Sequence, residues 1–344
     1  MLAGFGGVLL ITVLPIVLAI VLSGLVLIAF GVDPVAYYAY VARRGLLSWL
    51  GFEATATRMA PLLFLAASLI VAFRAGIWNL GIDGQFLLAA VVVGASAPVL
   101  IDFMPGWLAL TICFVLAAAV GAAWSVVPAL LKAYQGVNEI ITTLMMTLLS
   151  VSFANVLVKL FFLDPATTVP QTRTLPVADR LPRLFDTTIS SGLLLGLVAV
   201  IGVHLVMTRT AFGLKLRLVG ASPRTAVHVG LSVPRLTLAV FAISAALAGL
   251  AGAVDILGVH GNVRADWNPA YGLTVIPLVF LARFNGYAAI AFVFLFSVLA
   301  IGAESASRRL GVPHFFTFVV VGILLVVLAL VEYLDARRRA RTRV

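Results

Sequence analysis

Long apolar runs, separated by short polar stretches, recur from one end of the chain to the other. Ten are delimited by charge and by Pro/Gly clusters, near 8–30, 56–73, 77–101, 107–131, 140–163, 189–208, 237–258, 272–283, 286–303 and 315–333. Nearly all reach the length of roughly 18 or more residues that a helix needs to cross a hydrocarbon core of ~30 Å. The eighth fits a partial or re-entrant segment as readily as a full span. The first lacks a basic leading region and exceeds the roughly 7–15 apolar residues of a secretion signal, so it reads as a retained span. The pattern predicts an all-α integral membrane protein: a polytopic helical bundle of about ten transmembrane segments with re-entrant or broken helices.

Composition agrees. The 344 residues are 63% hydrophobic and only 10% charged, with a mean hydropathy of +1.17. That excludes an ordinary soluble domain, in which about a quarter of residues are charged. The net charge of +10 does not form a nucleic-acid-binding face, because the basic residues lie in short loops and in a C-terminal cluster at 337–343. Such clusters orient a membrane protein. They predict cytoplasmic termini, a cytoplasmic loop at 208–236 and a basic cytoplasmic tail at 334–344. The Pro- and Thr-rich stretch 164–188 is then a periplasmic or extracellular loop. The single cysteine, Cys113, excludes an intrachain disulfide and any cysteine metal cluster.

No catalytic constellation is visible. The chain has no GxxxxGK[ST] loop for ATP and no HExxH, and its four histidines are scattered singly. We therefore expect no enzyme activity, no cofactor and no metal. The spans are almost free of charge, with Asp83, Glu139 and Asp255 at or near segment edges. That speaks against an ion-coupled secondary transporter of a small polar solute, which ordinarily buries ionisable groups in its spans. Backbone-based sodium sites stay open. Rows of small residues, Ala245/Gly249/Ala253, Ser244/Ala248/Gly252 and Ala117/Gly121/Ser125, predict closely packed helices.

Three stretches carry candidate chemistry. AGIWNLGIDGQF, at 75–86, sets polar residues between two apolar runs. A non-helical break at membrane depth survives only where protein or a watery cavity surrounds it. Gly76, Gly81 and Gly84 permit turns there, while Asn79, Asp83 and Gln85 either cap the broken helix or face a solute path. Asn138 and Glu139 read as a helix start with an acidic first turn, or as part of the same path. In the inner loop, Ser222 and Pro223 signal a helix start and Gly230 a stop, enclosing a short basic helix.

These stretches resemble one family. AGIWNLGIDGQF is similar to the NxGxxGQ motif of ABC-importer permeases of the branched-chain amino acid, ribose and nucleoside type, and Gln85 places it nearest the nucleoside and simple-sugar branch. GVNEIITTLMMTLL at 136–149, RLVGASPRTAVHVGLSVPRL at 217–236 and SAALAGLAG at 244–252 follow the family's layout. Where the sugar branch often has a Gly-rich turn, this chain reads LARFNG at 281–286. The resemblance covers nearly the whole chain and implies one permease domain in the cell (inner) membrane. It implies a path for a nucleoside or simple sugar lined near Asn79, Asp83, Gln85, Asn138 and Glu139. It further implies coupling to a separate cytoplasmic ATPase through Gly220, Ala221, Ser222, Pro223, Arg224, Thr225, Ala226, Val227 and Gly230. The implied partners are that ATPase, a second related permease in a heterodimer, a periplasmic or lipid-anchored solute-binding protein and the bilayer, with no nucleic acid. An ABC permease for branched-chain amino acids is the alternative within the family.

Overall fold

The computed structural model describes residues 2–185 and 187–312, together with 316, 318–320, 322–323, 326–327 and 330–331. The tail at 334–344 and nearly half of the tenth apolar run lie outside the described residues. The long regular elements among the described residues are all helices: α1 (Leu2–Ala29), α2 (Pro34–Ala42), α3 (Trp49–Arg74), α4 (Ile82–Phe103), α5 (Gly106–Trp124), α6 (Val126–Gln135), α7 (Glu139–Val156), α8 (Gly192–Arg209), α9 (Ala211–Ala221), α10 (Pro223–His228), α11 (Val233–Asp255), α12 (Tyr271–Leu281) and α13 (Gly286–Leu310). Seven helices among the described residues are long and apolar enough to cross a membrane. One is the continuous pair α5–α6, bent at Ser125, and two others continue α7 and α11 through a π-turn. The eighth run is α12, whose 11 helical residues are too few to cross alone; the chain from Arg264, which bridges to Gln171, to Phe284, which bonds Arg74, runs between the two ends of the unit Ala56–Val293.

The chain divides into two compact units, Met1–Thr55 with Phe294–Val344, and Ala56–Val293. In the first, Leu27, Tyr37, Val41, Ala303, Ala306, Val312 and Phe316 form the core. Asp33 caps α2 by accepting from the Val35 amide at 2.8 Å, and Pro34 follows at the first position. This short helix was not expected from the apolar runs, because its three tyrosines interrupt them.

The second unit is built around α11, which packs on α4 and α5, while α4 also packs on α7. Small residues make that approach possible. A Cβ on Gly249 would stand 3.0 Å from the Ala117 carbonyl carbon, and one on Gly252 3.0 Å from the Ala90 amide nitrogen. Without lipid-excluding hydrophobic force, such close backbone contact is what holds membrane helices together. Seen from its middle, α4 is the ruler of this unit. It rises about 33 Å over its 22 residues. At its C-terminal end Asp102 accepts from Arg173 at 2.6 Å, tying in the loop at 164–185. At its N-terminal end lie the turn 75–81 and, beside it, the end of α9. The outer-loop candidate and the inner-loop candidate therefore occupy opposite ends of one span.

Candidate functional site

The turn 75–81 joins α3 to α4, and its polar residues are gathered inward. Gly76 takes φ +69°, a conformation that glycine adopts without a Cβ penalty. Gly81 does not: its φ is −80°. It is a glycine for want of space, since a Cβ would stand 3.1 Å from Asn79 Oδ1, 3.2 Å from Gln85 Nε2 and 3.3 Å from Thr143 Cβ. Gly84 lies inside α4, where a Cβ would meet Ser150 Cβ at 2.9 Å and Thr147 Cα at 3.0 Å of α7. One of the three glycines shapes the turn; two let α7 approach.

Asn79 and Gln85 form a reciprocal amide pair. Asn79 Nδ2 donates to Gln85 Oε1 at 3.1 Å, and Gln85 Nε2 donates back to Asn79 Oδ1 at 3.2 Å. Asn79 also donates to Ser244 Oγ of α11 at 3.0 Å and accepts from the Gly81 amide at 3.2 Å. Both side chains are buried, at 0% and 1% exposure. Thr143 of α7 accepts from the Leu80 amide at 3.2 Å, and Glu139 pairs with Lys132 at 2.6 Å. The turn is thereby bonded to α4, α7 and α11 at once. Paired amides are what burial demands, because an unpaired one costs several kcal/mol in an apolar medium.

The other expected residues go elsewhere. Asp83 points to α12 and accepts from the Gly272 amide at 2.6 Å, satisfying the first turn of that short helix. Asn138 is exposed and caps α7 by accepting from the Ile140 amide at 2.9 Å. Of the five polar positions, Asn79, Gln85 and Glu139 border the turn, whereas Asp83 and Asn138 each serve another helix start. Sequence reading missed Ser244, which its small-residue row marked only for packing, and Thr143.

The inner loop folds as a helix pair. Ser222 accepts from the Thr225 amide at 3.2 Å and caps α10, with Pro223 at its first position. Gly230, at φ +78°, ends it, and the Leu231 amide returns to the Ala226 carbonyl at 3.0 Å. Ala226 is fully buried within the protein, whereas Val227 and Val229 are 59% and 61% exposed. Ala226 is thus the inward position of α10, while Arg224, Thr225, Val227 and His228 are exposed and Val229 follows at the C-cap. At the junction of the pair, the last turn of α9 meets the turn 75–81 through glycine on glycine: Gly220 Cα lies 3.1 Å from where a Cβ on Gly76 would stand.

The segment after α12 closes on the same end. Arg74 donates to the Phe284 carbonyl at 3.0 Å, and Phe73, Trp78, Phe280 and Phe284 form one aromatic cluster with ring centroids 5.0–5.9 Å apart. Arg283 and Phe284 adopt φ +50° and +58°. The LARFNG stretch thus makes, with bulky residues, a left-handed turn that glycines form without strain.

Residues 51–329 match the family described as branched-chain amino acid transport system / permease component. The chain belongs to this permease family. Among curated relatives it is 30% identical over 339 residues to the glucose ABC transporter permease protein of Haloferax volcanii, covering 95% of this chain and 88% of that one. It is 26% identical over 323 residues to the nucleoside ABC transporter permease protein NupB of Lactococcus lactis, covering 88% and 86%. It is 27% identical over 288 residues to the guanosine ABC transporter permease protein of Bacillus subtilis, covering 80% of each. No solved structure matches the chain. The permease is a multi-pass membrane protein and not an enzyme; ATP hydrolysis belongs to a separate ATPase subunit. Permeases of this kind work with that ATPase and with a substrate-binding protein.

Proposed function

We propose that the permease forms the import path for a nucleoside or simple sugar in the cell (inner) membrane, with both termini cytoplasmic. The observation that carries this reading is the company it keeps: three relatives matched across most of their length are named for glucose, nucleosides and guanosine. A binding protein outside delivers the solute, and the ATPase docks inside on the exposed surface of α10, around Val227. An exposed apolar side chain on a short helix suits a groove, in the manner of helix-in-groove recognition, with Arg224, one turn before Val227, at the rim. The partner permease is a related chain rather than an identical copy. The exposed apolar side of α7, with Ile141, Met145, Leu148 and Leu149, offers it a surface.

At the turn, Asn79 and Gln85 hold α4 and α11 in place instead of contacting solute. Their complete burial and mutual pairing support this assignment over a path-lining one. Reconstitution into proteoliposomes with the ATPase and binding protein tests the function. Uptake of labelled nucleoside or sugar that requires ATP is the expected result. Uptake of leucine in their place moves the chain to the amino-acid branch, and gradient-driven uptake without ATPase overturns the reading altogether.

A further inference from the structure

We propose that Gly220 and Gly76 form the seat through which α9–α10 drives the α3–α4 turn, making that turn the receiver of the ATPase stroke. The proposal rests on the docking of an ATPase at α10 and adds to it where the displacement goes next.

Backbone geometry carries the argument. A Cβ on Gly220 would stand 2.7 Å from the Arg74 carbonyl oxygen, 2.9 Å from the Ala75 carbonyl carbon and 3.0 Å from the Gly76 amide nitrogen. All three are main-chain atoms at the end of α3, so no side chain can swing aside. Two main chains in direct contact transmit displacement, because a close-packed interior does not compress. The contact is anchored on both sides. Leu216 and Val219 of α9 are buried, as is Ala226 of α10, so the helix pair is fastened to the unit it pushes. On the receiving side, Asn79, Gln85, Thr143 and Ser244 bond the turn to three spans. A shift of α9 toward the turn is then passed to α4, α7 and α11 together. Gly220 and Gly76 are positioning residues, and so are Asn79 and Gln85; none is assigned contact with solute.

The test uses the full reconstituted transporter. Gly220→Ala should retain the ATPase on co-purification and still hydrolyse ATP, while solute transported per ATP falls at least fivefold. Gly202→Ala in α8 is the control, since a Cβ there meets nothing within 4 Å. A purely structural role would lower yield and leave transport per ATP unchanged. Wild-type transport per ATP in Gly220→Ala overturns the seat. A second measurement needs no substitution and decides the matter should Gly220→Ala fail to accumulate. Hydrogen exchange on the wild-type complex, with and without vanadate-trapped nucleotide, should change over 75–85 together with 209–231. A change in 209–231 alone overturns the seat. A wild-type chain that retains no ATPase overturns the docking reading itself, which is distinguishable from either result.

Discussion

At the scale of single residues, the Asn79–Gln85 pair makes the sharpest demand. Each amide in the pair satisfies the other, so removing one orphans a buried partner at a cost of about 1–3 kcal/mol. Asn79→Ala and Gln85→Leu should each lower the melting temperature of the purified permease, and the double variant should cost less than their sum. Thermal unfolding in detergent checks it; strictly additive losses would mean the two amides act apart. The sequence showed that 79–85 was unusual, because glycine, amide and carboxylate stand where apolar residues are expected. It did not show the partner. Ser244 lies 165 positions away, and its hydroxyl looks like any other small residue in a helix-packing row. Nor did it show that Gly81 is needed for space instead of a left-handed turn, since spacing along the chain carries no information about Thr143.

Helix elements were more legible at their ends than in their packing. The Ser222–Pro223 start and the Gly230 stop are local signals, and the structure places α10 between them. Which of its sides faces outward depends on tertiary contacts that no local signal encodes. Ala226→Asp would bury a carboxylate inside the permease itself, whereas Val227→Asp and, at the C-cap, Val229→Asp place it at exposed positions. We expect both valine variants to insert and assemble normally yet lose the ATPase, because an unpaired carboxylate would be desolvated at the interface. Arg224→Ala should weaken retention by no more than a few-fold, as exposed ion pairs do. Co-purification with the ATPase measures both, and wild-type retention in the valine variants would return α10 to a solvated connector. The turn after α12 yields a prediction of the opposite sign. Arg283 is exposed at φ +50°, so Arg283→Gly should stabilise the permease by about 1 kcal/mol, read as a raised melting temperature with transport unchanged.

For the whole molecule, orientation in the membrane is the property that charge alone fixes least well. Thirteen of the 23 Lys and Arg residues fall on the side taken as cytoplasmic, a narrow bias. The geometry of the second unit narrows the choice to two, because Arg173 and the Gly76–Gly220 contact sit at opposite ends of α4. If α10 docks a cytoplasmic ATPase, the loop 164–185 must be outside. Within that loop the outward positions can be chosen from the structure. Gln171 is 8% exposed and bridges to Arg264, so a cysteine there would be a poor reporter, whereas Val177 is 56% exposed. Cys113 is buried in α5, and Cys113→Ala gives a thiol-free background that keeps the site apolar. In intact cells an impermeant maleimide should label Val177→Cys and leave Arg224→Cys untouched until the membrane is broken. The reverse pattern inverts the permease. It would also remove α10 from the reach of any cytoplasmic ATPase, so one labelling experiment bears on both orientation and coupling.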